Sequence, residues 1–228
     1  RERGLARCQG EHPPEQYEFK VLTKTGQARW VELRASPIEL EGSPAVLATL
    51  FDITNRKHAE EELRRSERNK TVLNHIAGIF LAVPDDEMYE QVLAVVQEAL
   101  ESKFGLFGFL AENGDLVIPS MSQEVWTQCR VPGKSVVFPP ASWGESLWGS
   151  AIREKRAFRS DGPFHTPEGH IRISHFLVAP VVFGSQTIGL LSVANDRHGF
   201  TEEDQGLLES IAAYVSPILH ARIERDRN

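Results

Sequence analysis

A change in hydrophobic period at Asp52-Ile53-Thr54 limits what this chain can fold into more than any other feature. Upstream, apolar and polar side chains alternate from Tyr17 onward, which is the period of a β-strand. Downstream, a stripe of mainly apolar side chains, spaced by three or four residues, runs as far as Phe80, which is the period of an α-helix. We therefore expect a small sheet that passes directly into a long helix, with Asp52 and Thr54 as its cap and anchor.

Three strands are predicted before this junction, at residues 17–21, 29–36 and 46–53. Glycine-containing turns at residues 24–27 and 41–44 separate them. Strand alternation divides the second strand into one face with Trp30, Glu32 and Arg34 and another with Val31, Leu33 and Ala35. Three strands bury little apolar surface by themselves, so we expect further chain or a partner to cover the sheet.

The predicted helix after the junction carries a heptad repeat, which is typical of coiled coils. Its seam consists of Ala59, Leu63, Ser66, Lys70, Leu73, Ala77 and Phe80. Polar residues on a seam weaken association but fix its register, and we assign that role to Ser66 and Lys70. The alternative is a solvated helix whose stripe is accidental.

The second half of the chain alternates between helices and hairpins. Helices are predicted near residues 85–101, 146–154 and 202–226, and strands near 104–111, 116–121, 157–160, 176–183 and 187–195. Residues 123–144 are predicted to be an irregular crossover, and residues 161–174 a long loop. Asp85 is the expected N-cap of the first of these helices, and Thr201 and Asp204 open the last. Pro217 should kink this last helix or open a local gap in its hydrogen-bond ladder.

Composition excludes several classes of protein. The 228 residues include 32 acidic and 25 basic side chains, so the net charge of −7 disfavours a general nucleic-acid binder. No apolar run is long enough to span a membrane. The two cysteines, Cys8 and Cys129, form no disulfide framework, and we expect a reducing, cytoplasmic setting. Because the sequence starts at Arg1, we expect a fragment of a longer protein.

Enzyme patterns do not occur in the sequence. It contains neither a phosphate-binding glycine loop nor a Gly-x-Ser-x-Gly turn, and no histidine-kinase core is recognisable. The carboxylates fall mainly on predicted helix surfaces, where solvated charges are ordinary. We therefore expect no catalytic activity in this region.

The candidate ligand site lies in the irregular middle of the chain, because aromatic and polar side chains concentrate there. The candidates are Trp126, Cys129, Trp143, Trp148, Asp161, His165, His170, Arg172 and His175. The cofactor is unknown. The cysteine and histidines offer a metal or haem site, although their five-residue spacing fits no compact zinc motif. The alternative is a crossover that packs its aromatics onto the sheet, with hydrogen-bonded loop histidines.

Several stretches of the second half resemble the GAF domain family: residues 148–156, 179–183, 187–195 and 200–204. Residues 167–170 resemble a loop of a GAF subgroup that is linked to PAS domains in bacterial and archaeal sensors. Residues 15–54 resemble the C-terminal half of a PAS domain, without the N-terminal half that would close a PAS pocket. The cyclic-nucleotide signature of the family is not evident.

These resemblances imply an α+β fold: a GAF-like antiparallel sheet flanked by helices, after a three-stranded antiparallel PAS remnant and a long signalling helix. The implied domains are a partial PAS at 1–54, the helix at 55–83 and a GAF domain at 84–228.

The implied function is the sensory and relay region of a signalling protein, a two-component sensor histidine kinase, with an unidentified small molecule in the GAF pocket. A homodimer, parallel or antiparallel, would form through the helices at 55–80 and 202–226, with an output domain after Asn228. No nucleic acid and no membrane are expected as partners. The relay would pass through Asp52, Thr54, Leu63, Ser66, Lys70, Leu73 and Pro217. The alternatives are a ligand-free dimerisation module, or a redox or haem sensor that uses Cys129 or the loop histidines.

Overall fold

The chain forms two compact units. The computed structural model describes residues 14–131, 135–164, 166, 168–195 and 198–227. The first unit ends at Glu67 and the second begins at Arg68. This boundary falls inside the long helix α1 (Thr54–Ala82), so a single helix belongs to both units.

A three-stranded antiparallel sheet makes up most of the first unit. Its strands are β1 (Gln16–Leu22), β2 (Ala28–Leu40) and β3 (Ser43–Asp52), with β2 in the middle. The three predicted strands are confirmed, but β2 and β3 are longer than expected. The reason is that the turn between them uses only Glu41 and Gly42, both at positive φ, so that the flanking residues pair.

The register of this sheet confirms the two predicted faces of β2. Glu32 lies opposite Glu18 and Phe51, while Leu33 lies opposite Tyr17 and Leu50. Large apolar side chains of this sheet are exposed among the described residues, and they are Leu22, Ile38, Leu40, Leu47, Leu50 and Phe51.

The second unit is built on a six-stranded antiparallel sheet with the order β6-β5-β4-β9-β8-β7. The strands are β4 (Phe104–Leu110), β5 (Leu116–Met121), β6 (Val137–Phe138), β7 (Phe158–Ser160), β8 (His175–Phe183) and β9 (Gln186–Asn195). The helices are α2 (Asp85–Ala99), α3 (Gln123–Gln128), α4 (Leu147–Glu154) and α5 (Glu202–Arg227). The α+β fold class is confirmed.

One face of this sheet carries the main core, and we call it the helix face. Phe107, Leu191 and Val193 are fully buried there against the C-terminal half of α1, α2 and α5. The heptad stripe of α1 therefore meets two environments. Leu73 and Phe80 pack against this core, whereas Leu63 is 61% exposed.

Two sequence predictions about helix ends and loops are wrong. Asp85 is the first residue of α2 rather than its N-cap, since Pro84 holds an extended backbone and its carbonyl accepts the N–H of Met88. The crossover is not irregular throughout, because residues 123–128 form the short helix α3.

The start of the last helix is as predicted. The N–H of Asp204 donates to the Thr201 hydroxyl, and the N–H of Thr201 donates to the Asp204 carboxylate. Helix α5 then continues through Pro217 as far as Arg227. The carbonyl that loses its partner at this proline belongs to Ala213, an exposed residue, so water can satisfy it.

Candidate functional site

The opposite face of the six-stranded sheet, the crossover face, is covered by α4 and the chain around it. Leu116, Ile118, Val178 and Leu190 are fully buried on this face. Ile152 of α4 packs on them. The Ser146 hydroxyl accepts the N–H of Gly149 and caps α4, which fixes where this helix begins. We call this group of side chains the crossover cluster.

Two of the predicted tryptophans join the crossover cluster. Trp143 is buried, and its Nε1 donates to the carbonyl oxygen of Phe138 at 2.9 Å. Trp148 meets the Phe138 ring edge-on, with 5.2 Å between the ring centroids. Aromatic side chains therefore pack in the crossover cluster, in the region where the sequence concentrates them. The side chain of Trp126 lies outside the described residues.

A second apolar group, the Cys129 cluster, lies on the same face of the sheet. The buried Cys129 packs with Phe104, Ile171 and Ala194. Two segments cover this cluster, one around Arg130 and one around Gly169. They are joined by a hydrogen bond of 2.7 Å from the N–H of Arg130 to the carbonyl oxygen of Gly169. A Cβ at Gly169 would lie 2.9 Å from the Arg130 carbonyl group, and the φ of Gly169 is +83°. This close approach therefore requires glycine.

Asp161 and His175 form a separate pair at the edge of this cover. His175 Nδ1 lies 2.8 Å from Asp161 Oδ1, and the two side chains are 22% and 72% exposed. Gly199 passes close by, since a Cβ there would lie 3.0 Å from the Asp161 carboxylate. The pair ties the start of the long loop to β8, and at this exposure it contributes little to stability.

The remaining predicted site residues are not gathered with this pair. His170 Nδ1 lies 2.8 Å from the carbonyl oxygen of Ile171, and Arg172 is exposed. His165 lies outside the described residues. In the part of the chain that the structure describes, no three His, Cys, Asp or Glu side chains are placed to hold a metal ion. As a ligand-binding set, the nine residues stay a prediction.

The junction at Asp52 and Thr54 is tightly hydrogen-bonded to β2. Asp52 Oδ1 accepts the N–H of Thr54 at 2.9 Å, and the Thr54 hydroxyl accepts the N–H of Trp30 at 3.0 Å. Asp52 also pairs with Arg29 at 2.9 Å. Hydrogen bonds from the Thr54 side chain and backbone, then that from Arg29, hold the pKa of Asp52 below its ordinary value. This geometry is that of a helix anchor.

Sequence reasoning missed a charged group beside this anchor. Arg56 and Lys57, in the first turn of α1, both contact Glu18 of β1, at 2.5 and 2.6 Å. Glu18 lies opposite the buried Glu32 in the sheet register. The available signal was strand alternation, which places Glu18 and Lys20 on one face of β1, but only the register of the sheet brings that face beside Glu32.

Glu32 is the buried member of this group. Its carboxylate accepts hydrogen bonds from Arg34 Nε at 2.7 Å and Gln16 Nε2 at 2.8 Å, and Arg56 lies 3.7 Å away. Burial raises the pKa of Glu32, but the hydrogen bonds from Arg34 and Gln16 outweigh it, and the pKa is lowered. A carboxylate held in its charged form therefore links the sheet to the first turn of α1.

Comparison with known proteins identifies the fold around this site. Residues 83–220 match a family model described as a GAF domain, which is more than half of the chain. The chain belongs to the GAF domain family. The crossover cluster and the Cys129 cluster therefore lie on one face of a GAF sheet, and the core with α1, α2 and α5 lies on the other.

Two curated proteins are similar to this GAF chain. A methyl sulfide methyltransferase-associated sensor of Methanosarcina acetivorans is 28% identical over 199 residues, which cover 82% of this chain and 19% of the relative. A blue-light-activated histidine kinase of Brucella anthropi is 44% identical over 45 residues, which cover 20% of this chain and 9% of that kinase. The chain thus spans less than a fifth of the length of these relatives.

Solved structures resemble a large part of this chain. The GAF domain of a phosphoenolpyruvate-protein phosphotransferase from Coxiella burnetii has a TM-score of 0.56 at 20% identity, covering 70% of this chain and 98% of that one. A free methionine-R-sulfoxide reductase from Neisseria meningitidis has a TM-score of 0.52 at 18% identity, covering 69% and 91%. At these identities the likeness shows the fold alone, and it confirms the predicted GAF-like sheet.

Within the described residues, no helix is both long enough and apolar enough to cross a membrane.

Proposed function

We propose that this chain is the sensory and relay region of a signal-transduction protein. In this proposal, the GAF unit holds a small molecule on its crossover face and passes its state to α1 and α5. One observation carries the proposal: single strands contribute to both faces. In β9, Leu190 packs into the crossover cluster, while its neighbour Leu191 packs into the helix-face core. A ligand that moves one face therefore has a direct route to the other.

The β8–β9 hairpin makes side-chain hydrogen bonds to helices on both sides of the sheet. The Thr187 hydroxyl of β9 donates to the carbonyl oxygen of Ile152 in α4 at 2.9 Å. On the other side, the Ser216 hydroxyl of α5 donates to the carbonyl oxygen of Val182 in β8 at 2.6 Å. A displacement of α4 by a ligand would thus be transmitted through this hairpin to the last helix. Such a switch requires two packings of similar free energy.

The first unit supplies the second input in this proposal. We assign residues 1–54 to a partial PAS domain, 55–83 to a signalling helix and 84–228 to the GAF domain. The anchor at Asp52 and Thr54 would set the orientation of α1, and the seam residues would pass it on. These seam residues are Leu63, Ser66, Lys70 and Leu73, with Pro217 as the counterpart in α5.

The parent protein that we propose is a cytoplasmic two-component sensor histidine kinase. The names of the two relatives, a sensor and a histidine kinase, support this assignment. The chain would form a homodimer through α1 and α5, and the output domain would follow Asn228. We propose no catalytic activity for this region itself.

Native mass spectrometry of the purified chain tests the ligand. We expect a small-molecule adduct that is retained under native conditions and lost on denaturation. Trp148→Ala, on the crossover face, should lower its occupancy, whereas Tyr214→Ala, exposed on α5, should not. A dimer that carries no adduct from any expression host would favour the ligand-free dimerisation module. A Soret absorption band would instead favour the haem sensor.

A further inference from the structure

The C-terminal end of α1 takes a hydrogen-bond donor from another helix. The last four carbonyl groups of an α-helix have no partner within the helix. In α1, the carbonyl of Ile79 accepts the N–H of Val83. Leu81 and Ala82 are exposed, so water can satisfy their carbonyls. This leaves the carbonyl of the partly buried Phe80 for a neighbouring element.

Arg222 of α5 supplies this donor. Its Nη2 donates to the carbonyl oxygen of Phe80 at 3.2 Å. Its guanidinium group also lies over the Phe80 ring, with 5.2 Å between Cζ and the ring centroid, which is within the range of a cation–π contact. A positive charge is favourable at the C-terminus of a helix, and the last turn of α1 has no basic side chain of its own. Arg222 therefore caps α1 from α5.

The contact with α1 lies closer to the end of α5 than the contacts with the sheet do. Ser216 and His220 hold α5 to the end of β8, through Val182 and Phe183. Arg222 lies beyond both of them along α5. A movement of the end of α1 can therefore reach the last turns of α5 without passing through the sheet.

We propose that Arg222 couples the end of α1 directly to the last turns of α5. In the proposed relay, α5 then receives two inputs: one from the GAF sheet through Ser216, and one from α1 through Arg222. A signal that arrives along α1 would act on α5 whatever the state of the crossover face. This inference rests on the proposed relay function, but it does not require a ligand.

Gly78→Ala changes the end of α1 without touching its neighbours. Gly78 is exposed, and a Cβ there would meet nothing within 4 Å. Because alanine favours a helix more than glycine does, we expect hydrogen exchange in the last turn of α1 to slow about four-fold. If Arg222 couples the two helices, the amides of residues 222–225 should slow at least two-fold in the same variant.

Arg222→Met removes the donor and the charge but keeps an unbranched side chain. By itself it should speed exchange in the last turn of α1 about five-fold, the usual effect of one hydrogen bond. In this background, Gly78→Ala should still slow exchange in α1 but leave residues 222–225 unchanged. Arg222→Lys, which keeps the charge, should restore part of the response.

Arg68→Met is the matched control, because Arg68 donates to the carbonyl of Ala99 at the end of a different helix, α2. Its loss should leave the response of α5 to Gly78→Ala intact. All exchange rates are compared at a concentration at which the variants have the same sedimentation coefficient, so that a change in association does not enter.

The outcomes separate this contact from the relay as a whole. An equal response of α5 with and without Arg222 would overturn the role of Arg222 and assign the coupling to apolar packing of Phe80 and Ile223 on the shared core. No response of α5, although exchange in α1 slows, would overturn both Arg222 and the proposed relay between these helices. An unchanged rate in the last turn of α1 in Arg222→Met would overturn the cap itself.

Discussion

The hydroxyl of Ser216 in α5 donates a 2.6 Å hydrogen bond to the carbonyl oxygen of Val182 in β8. Ser216 is buried and immediately precedes Pro217, where the helix lacks one backbone hydrogen bond. The ring of His220, one turn further along α5, stacks on Phe183 at 3.9 Å. The last helix is thus attached to the end of β8 by a hydrogen bond and a ring stack, close to the proline where its backbone lacks one hydrogen bond.

Ser216→Ala tests this attachment. The substitution leaves the Val182 carbonyl without its side-chain donor, and we expect the free energy of unfolding to fall by about 1–2 kcal/mol. Urea denaturation measures the change. Ser210→Ala is the matched control, since the Ser210 hydroxyl donates only to Gly206 in its own helix, and it should cost less than about 0.5 kcal/mol. Equal effects of the two variants would contradict the role of Ser216.

The lowered pKa of Glu32 predicts how the stability of the first unit changes at low pH. Because its pKa is lower in the folded chain than the ordinary value of 4.5, its charged form stabilises the fold above that value. This stabilisation is lost as the pH falls through the lowered pKa. We expect amide protection in β2, measured by hydrogen exchange corrected for the intrinsic rate, to decrease between pH 5 and about pH 3.

Glu32→Gln separates this carboxylate from the other acidic groups. The variant should lower amide protection in β2 at pH 7 and make it less dependent on pH, because the amide does not titrate in this range. Glu62→Gln, at an exposed position on α1, should reproduce the wild-type pH dependence. An unchanged profile in Glu32→Gln would show that another group governs the acid response.

Gly169 predicts how the loop over the Cys129 cluster is held. In Gly169→Ala, the new Cβ would meet the Arg130 carbonyl group at 2.9 Å and strain a φ of +83°. We expect a loss of about 1–2 kcal/mol in stability and faster hydrogen exchange at Arg130, whose N–H donates to Gly169.

Gly144→Ala is the control for backbone strain alone. Gly144 also has a positive φ, of +52°, but a Cβ there meets nothing within 4 Å. It should therefore cost less than Gly169→Ala and leave exchange at Arg130 unchanged. If the two variants were equally destabilised, the close approach to Arg130 would have no effect of its own.

The exposed seam of α1 predicts the strength of self-association. Ser66 and Lys70 are exposed polar residues on the heptad stripe, and replacing both with leucine adds apolar surface to the proposed dimer contact. We expect Ser66→Leu with Lys70→Leu to lower the dimer dissociation constant at least ten-fold in sedimentation equilibrium. Arg65→Leu, away from the seam, should have little effect. An unchanged dissociation constant in the double variant would show that the heptad stripe of α1 does not form the dimer contact.

Local patterns predicted most of the secondary structure. Apolar–polar alternation located the strands of the first sheet, and apolar runs between turns located those of the second sheet except β6, which lies in the stretch expected to be irregular. The Thr201 and Asp204 pair marked the start of α5. The misses were also local in origin. Helix α3 is too short to show a clear hydrophobic period. Pro84, and not Asp85, is the N-cap of α2, because Pro84 is the last residue with an extended backbone before the helix.

The candidate site was less predictable than the fold. Trp143 and Trp148 do meet at Phe138, because all three lie close together in the sequence. The loop histidines were grouped by their regular spacing, yet His175 pairs with Asp161 while His170 contacts the carbonyl of Ile171.

The sequence by itself determined the order of the longer strands and helices and the resemblance to the GAF family, because period, turn and cap signals act within a few residues. Only the tertiary structure decided which residues meet. Phe104 pairs with Ala194 across 90 positions, and this register directs Ser192 to the crossover face and Leu191 to the helix face. Such pairing depends on burying both faces of one sheet at the same time, and no local pattern records that requirement.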